Sequence, residues 1–127
     1  MDQKKKRILV VDDEPGISCM LKLNLEQTNE YEVAVENSPT HAYRTAMAFH
    51  PDLILLDILM PGKDGGELAS DFQTSPKFAK VPILFLTAAA TKKEVSANHG
   101  QIGGLPFLAK PVDFQEVEAN IKKLLPD

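Results

Sequence analysis

The chain has 127 residues, 43% of them hydrophobic, which is enough for one buried core and too little for two, so one domain over residues 1–127 is predicted. A formal charge of −4 and a pI near 5.3 argue against the concentrated basic face that direct nucleic-acid binding requires. Cys19 is the only cysteine, which excludes an internal disulfide and a cysteine-cluster zinc site and fits a reducing, cytoplasmic setting, and no apolar run approaches membrane-spanning length.

The basic run Lys4-Lys5-Lys6-Arg7 leads into Ile8-Leu9-Val10-Val11, an unbroken apolar run that stops at Asp12 and Asp13. That run is too short for the core of a signal peptide, so the basic residues read as a solvated lead-in to a first strand. Ile17, Leu21 and Leu25 then recur at steps of four, the mark of a helix buried on one face, with Pro15 suited to its first turn. Tyr31, Val33 and Val35 alternate with Glu32, Ala34 and Glu36, the period of a strand with one exposed face at a sheet edge. Ala42, Ala46 and Phe49 mark a second helix opened by Pro39. Leu53-Ile54-Leu55-Leu56 is again unbroken and apolar, so the first and third strands are predicted to be central, covered by helices on both faces.

Leu68, Ala69 and Phe72 supply the buried face of a third helix, and Ile83 to Leu86 a fourth strand with Pro82 at its first position. From Thr91 to Glu94 the chain resembles a capping box, but the following stretch offers little apolar surface, which predicts a short, mobile fourth helix. Phe107 to Ala109 forms a short fifth strand entered through Pro106, a proline that favours an edge location. A last helix buries Phe114, Val117, Ile121, Leu124 and Leu125, capped by Asp113 with Glu116. Five alternations of strand and helix imply right-handed crossovers and an α/β three-layer sandwich, a flavodoxin-like (βα)5 fold whose parallel five-stranded sheet has the order 2-1-3-4-5.

In that order the ends of strands one and three flank the topological switch point, where open α/β sheets bind ligands. Asp12 and Asp13 end the first strand and Asp57 the third, so three carboxylates converge. Like charges about 4 Å apart repel by roughly 4 kcal/mol at an effective dielectric near 20, so the cluster calls for a compensating cation. Magnesium is hard and oxygen-seeking and fits such a site beside a phosphate oxygen. Asp57 precedes the turn-rich stretch 59–66, where its oxygen could reach solvent, and is the best nucleophile: a carboxylate can accept a phosphoryl group as an acyl phosphate. Lys110 would supply a mobile point charge to the transferred oxygens, and Thr87 a hydroxyl donor from the fourth strand. Singly, each residue has a plainer reading: Asp12 or Asp13 and Thr87 as helix caps, Asp57 as a turn residue, Lys110 on the surface. Their joint placement at strand ends favours a site.

Asp12-Asp13, Asp57 followed by Met60-Pro61 and Asp64-Gly65, Thr87-Ala88, and Lys110-Pro111 resemble the receiver domain of two-component response regulators, of the chemotaxis-regulator kind. The stretch Gly103-Gly104-Leu105-Pro106-Phe107-Leu108-Ala109-Lys110-Pro111 follows that family's pattern too, and the resemblance covers essentially the whole chain. It implies that Asp57 takes a phosphoryl group from the phosphohistidine of a sensor histidine kinase or a histidine phosphotransfer protein. It also implies that Asp12, Asp13, Asp57 and the backbone carbonyl of Leu59 hold magnesium. Thr87 and Phe107 would be the switch pair that remodels the face of the fourth helix, fifth strand and fifth helix for a downstream effector or output domain. The plainer reading of Phe107 is a core aromatic. The Lys110-Pro111 bond is expected to be cis.

Leu59 and Ala89 carry no polar group able to orient an attacking water, which predicts slow self-dephosphorylation. His41, His50 and His99 lie at no predicted strand end and are not expected to act as phosphodonors or ligands. Three other functions fit the sequence less well. A pseudo-receiver that signals by docking alone is disfavoured because every chemical residue is present. A haloacid-dehalogenase-like hydrolase wants Asp-x-Asp after the first strand, where Asp12-Asp13-Glu14 stands, and a nucleotide-binding loop wants glycines there. No turnover substrate is expected, and no recognition helix for DNA is seen, which suits either a stand-alone regulator or an excised module.

Overall fold

Unbroken apolar strands can only be satisfied in the middle of a sheet covered on both sides, and the computed structural model, which describes residues 5–58, 65–87, 101–102 and 105–125, places them there. Strands β1 (Lys6–Val11), β2 (Tyr31–Glu36), β3 (Leu53–Asp57) and β4 (Ile83–Thr87) are joined by β5 (Gln101–Ile102) and β6 (Leu105–Ala109) in a sheet of order β2-β1-β3-β4-β6-β5. The pairs β1/β2, β1/β3, β3/β4 and β4/β6 are all parallel, so the five predicted strands stand in the predicted order 2-1-3-4-5.

One element is additional. The two residues of β5 run antiparallel to β6, pairing Gln101 with Pro106 and Ile102 with Leu105. The last predicted strand is therefore not a bare edge; its outer side is covered at the proline end, where it lacks a backbone N–H. Gln101 and Ile102 are strand residues in a stretch whose sparse apolar pattern reads as the margin of a helix. The fourth predicted helix otherwise falls outside the described residues.

Helix α1 (Pro15–Gln27) follows β1, and α2 (Ala42–Phe49) follows β2 after a single 3-10 turn, Pro39–His41. Pro39 thus opens a 3-10 turn rather than the α-helix itself. Helix α3 (Gly65–Thr74) follows β3, and α4 (Phe114–Leu124) ends the described chain. At α4, Asp113 caps as expected, but its Oδ1 accepts from the Gln115 backbone N–H at 2.8 Å, one position earlier than a capping box places it.

Because side chains alternate along a strand, each strand feeds two cores. On one side Ile8, Val10, Leu53, Leu55, Leu84, Leu86 and Leu108 pack against Leu21 and Leu25 of α1 and Val117 and Ile121 of α4. On the other, Leu9, Val11, Ile54, Leu56, Ile83, Phe85 and Phe107 pack against Ala42 and Ala46 of α2 and Leu68, Ala69 and Phe72 of α3. The edge strand β2 is also secured: Lys22 Nζ of α1 donates to the Val33 carbonyl at 2.7 Å, and the Val33 N–H donates to Glu26 Oε2 at 3.2 Å. These side chains satisfy backbone groups that would otherwise offer a pairing edge.

Candidate functional site

Parallel strands end together, so whatever follows their last apolar residue gathers at one rim of the sheet. Asp12 follows β1, Asp57 closes β3 and Lys110 follows β6. The alternation continues past each strand: Asp12 is in step with Ile8 and Val10, Asp57 with Leu53 and Leu55, and Lys110 with Leu108, so all three belong to the α1/α4 side of the sheet.

The geometry is tight. Lys110 Nζ lies 2.9 Å from Asp12 Oδ2, 3.0 Å from Glu14 Oε1 and 3.3 Å from Asp57 Oδ2. Its side chain is only 7% exposed, so it is neither a surface lysine nor a freely mobile charge. Burial by itself lowers the pKa of this ammonium; close contacts to Asp12 and Glu14 and the charges of Asp12 and Asp57 outweigh that, and the pKa stands above its ordinary 10.5.

Asp12, Asp13, Glu14 and Asp57 each offer an oxygen within 4.8 Å of the others. Among the described residues one ammonium faces four carboxylates and does not balance them. Asp12 is fully buried, and among the described residues the Lys110 ammonium, 2.9 Å away, is the group that faces its Oδ2. A buried carboxylate in a set of hard oxygen donors this close together fits a divalent cation such as magnesium. Asp57 departs from its sequence reading in one respect: it converges with the other acids as expected, but it is 2% exposed rather than open to solvent. The Lys110 ammonium lies beside it, 3.3 Å from Oδ2.

Gly65, the first residue of α3, packs against the backbone where β3 ends. Its N–H donates to the Ile58 carbonyl at 2.9 Å, and a Cβ there would collide with the Asp57 carbonyl oxygen and stand 2.6 Å from Ile58 Cα. Only glycine permits the third helix to start this close to the end of β3.

Asp12 is held from several directions. Its N–H donates to the Glu36 carbonyl at 3.2 Å, its carbonyl accepts from Asn37 Nδ2 at 2.7 Å, and its Oδ1 accepts from the Glu14 N–H at 2.9 Å. Asn37 Nδ2 also donates to the buried Ser18 Oγ at 3.0 Å, tying the turn after β2 to the first turns of α1. Asp12 therefore serves the turn that opens α1 as well as the cluster.

Thr87 ends β4, buried, one step past Leu86, the partner of Asp57 in the ladder; its carbonyl accepts from the Lys110 N–H at 2.9 Å. Alternation places it with Ile83 and Phe85 on the α2/α3 side. Phe107, opposite Phe85, is 3% exposed and part of that same core. The Lys110–Pro111 bond is cis. Leu59 and Ala89 lie outside the described residues, so the carbonyl assigned to the metal does too.

Sequence reasoning missed Glu14, Asn37, Ser18 and the close approach of Gly65. For Glu14 a signal existed, since it extends the acidic run directly. For Asn37 none did, because its partners are the Asp12 backbone carbonyl and a hydroxyl on α1, both distant in the chain.

With this geometry in hand, comparison with known proteins is specific. The family model described as the response regulator receiver domain matches residues 8–122. Response regulator Rre1 of Synechocystis is 32% identical over 118 residues, 93% of this chain and 51% of that protein. The alkaline phosphatase synthesis transcriptional regulatory protein PhoP of Bacillus subtilis is 36% identical over 121 residues, 94% of this chain and 48% of that protein. The chain thus spans about half the length of these curated relatives. A putative response regulator from Chloroflexus aurantiacus superposes with a TM-score of 0.83 at 32% identity, covering 98% of this chain and all of that one. No helix among the described residues is long and apolar enough to cross a membrane. The matched segment, the strand order and the acid cluster agree, and the chain belongs to the receiver domain family of two-component response regulators, which are signalling domains rather than metabolic enzymes.

Proposed function

We propose that this chain is a single phosphoacceptor module working in the cytoplasm, in which Asp57 accepts a phosphoryl group from the phosphohistidine of a sensor kinase or a histidine phosphotransfer protein. The observation that carries this reading is the position of Lys110 Nζ among the Asp12, Glu14 and Asp57 carboxylates at the rim of the sheet. In the transfer an Asp57 carboxylate oxygen bonds to phosphorus while the phosphorus–nitrogen bond breaks, its electron pair returning to the imidazole, which takes up a proton. Asp12, Asp13, Asp57 and the Leu59 carbonyl would hold magnesium, which when bound neutralises charge on the transferred oxygens. Lys110 then pairs with a phosphoryl oxygen, and its raised pKa keeps it charged for that role.

Thr87 and Phe107 are proposed as the switch: the hydroxyl turns toward the new phosphoryl group, and the aromatic ring's place in the α2/α3-side core registers the change. The face made by β6, α4 and the segment preceding β5 would present the result to an effector or an attached output domain. The net charge of −4 supports output through protein contact rather than direct nucleic-acid binding by this region. With Leu59 and Ala89 apolar, the acyl phosphate is proposed to outlast seconds in the purified protein.

The test is phosphorylation of the purified protein with magnesium and acetyl phosphate, followed by intact mass. The expected result is one added phosphoryl group that is absent without magnesium and absent in Asp57→Asn, which keeps its fold. Label remaining on the Asn variant would move the acceptor elsewhere, and a wild-type protein that accepts no phosphoryl group and no beryllofluoride would instead be a pseudo-receiver.

A further inference from the structure

We infer that Glu14 is a positioning residue that holds Lys110 inside the acid cluster before phosphorylation and thereby slows phosphoryl uptake at Asp57; this rests on the phosphoacceptor reading above. Two independent observations carry it. The first is the direct contact, Glu14 Oε1 to Lys110 Nζ at 3.0 Å, made between residues 96 apart in the chain. The second is what Glu14 forgoes. It occupies the N-cap of α1, where Ser, Thr, Asp or Asn would accept a hydrogen bond from the first turn, and it makes no such bond. A residue poorly suited to its local position, with its side chain directed at a distant lysine, breaks a local rule in favour of the site.

The backbone around Glu14 aims that side chain. Its N–H is taken by Asp12 Oδ1 at 2.9 Å, and its carbonyl accepts from the Ser18 N–H at 3.2 Å and from Ser18 Oγ at 3.3 Å. Glu14 is thereby fixed at the mouth of the cluster, half-exposed, while the ammonium it touches is buried.

The consequence follows from competition. In the proposed reaction Asp57 becomes the acceptor and Asp12 is committed to the cation, so both stop being simple counter-ions of Lys110. Glu14 undergoes no such change. A phosphoryl oxygen that is to pair with Lys110 must therefore displace Glu14 or share the ammonium with it. An ion pair with one solvent-exposed partner is worth a small factor, about two- to fivefold in an equilibrium or rate, and salt weakens it.

The experiment compares wild type, Glu14→Gln and Glu14→Asp for the initial rate of phosphorylation by acetyl phosphate with magnesium and for the concentration of beryllofluoride giving half-saturation. In each turnover Asp57 gains the phosphoryl group and acetate leaves with the electron pair of the broken phosphorus–oxygen bond. Glu14→Gln, which keeps shape and loses charge, is expected to react about two- to fivefold faster and to bind beryllofluoride tighter by a similar factor, with its thermal midpoint unchanged and the advantage shrinking at high salt. A merely structural residue does not produce a gain of this kind. Glu14→Asp keeps the charge but falls short of Lys110, so it should behave like the Gln variant.

A Gln variant no faster than wild type overturns the inference while leaving the phosphoacceptor reading intact. An Asp variant as slow as wild type also overturns it, since repulsion of the anionic donor by the charge alone would then suffice. A wild-type protein that takes up no phosphoryl group removes the reading and the inference together.

Discussion

The two sides of the sheet are built from different materials. The α1/α4 side is nearly all aliphatic, with Leu and Ile from four strands against Leu21, Leu25, Val117 and Ile121, and its rim carries Asp12, Asp57 and Lys110. The α2/α3 side holds Phe72, Phe78, Phe85 and Phe107, joined at its surface by Tyr43, which stacks on Phe72 with centroids 5.7 Å apart and meets Phe78 edge-on at 5.4 Å. Thr87 belongs to this second side. The charged groups are thus seated over branched aliphatic packing, whereas the proposed switch residues sit among rings. The proposed phosphoacceptor and the proposed switch residues thus draw on different cores.

Truncating one large side chain on each side puts the comparison under the greatest strain. Phe72→Ala and Leu55→Ala, both fully buried, should lose about 3–5 and 2–5 kcal/mol in urea unfolding. If the sides differ in function as argued, Leu55→Ala should also disturb beryllofluoride binding more than Phe72→Ala does. Equal disturbance would remove the distinction.

Next in size is Lys110→Met, which leaves Asp12 and Asp57 buried without their ammonium and should cost about 3 kcal/mol or more at neutral pH. The folded pKa of Lys110 is raised, so its contribution is fully present below the unfolded value of 10.5 and is lost as pH climbs toward the folded one. The stability gap between wild type and Lys110→Met should accordingly be undiminished by lysine titration up to about that pH and narrow in alkali, as followed by denaturant melts. A gap that widens in alkali would contradict the assigned cause.

Gly65→Ala tests the joint between β3 and α3. The added methyl meets backbone, which cannot swing aside, so a loss of about 1–3 kcal/mol is expected together with weaker magnesium binding, because Asp57 must shift. The smallest effect should come from Asp113→Ala, which is outside the acid cluster: about 1 kcal/mol from losing the α4 cap, with magnesium binding untouched. A metal-binding defect in that variant would show that α4 is coupled to the rim more tightly than the two-sided picture allows.

Much of this architecture was legible from local patterns. The unbroken runs at Ile8 and Leu53, the alternation from Tyr31 and the fourfold steps in α1 each report burial on a definite face, and burial is what periodicity encodes. Asp12, Asp13, Asp57, Thr87 and Lys110 were legible because strands in a parallel sheet share one end. The burial of Asp57 was not legible, since the turn composition after it says nothing of the lysine brought beside it from the end of β6. The two-residue strand at Gln101 escaped notice because it is too short to have a period.

What the chain determined by itself is the order of elements, their buried faces and the collection of acids and one lysine at a common rim, all of which follow from hydrophobic spacing and strand direction. What tertiary structure alone decided is who pairs with whom across that rim. Glu14 and Lys110 meet, Asn37 pins the Asp12 carbonyl, and Lys110 becomes a buried hub. Those contacts join residues 96 and 25 positions apart, and no local pattern reports them, because an ion pair or a hydrogen bond is set by angstrom-scale placement of atoms that only the packed core supplies.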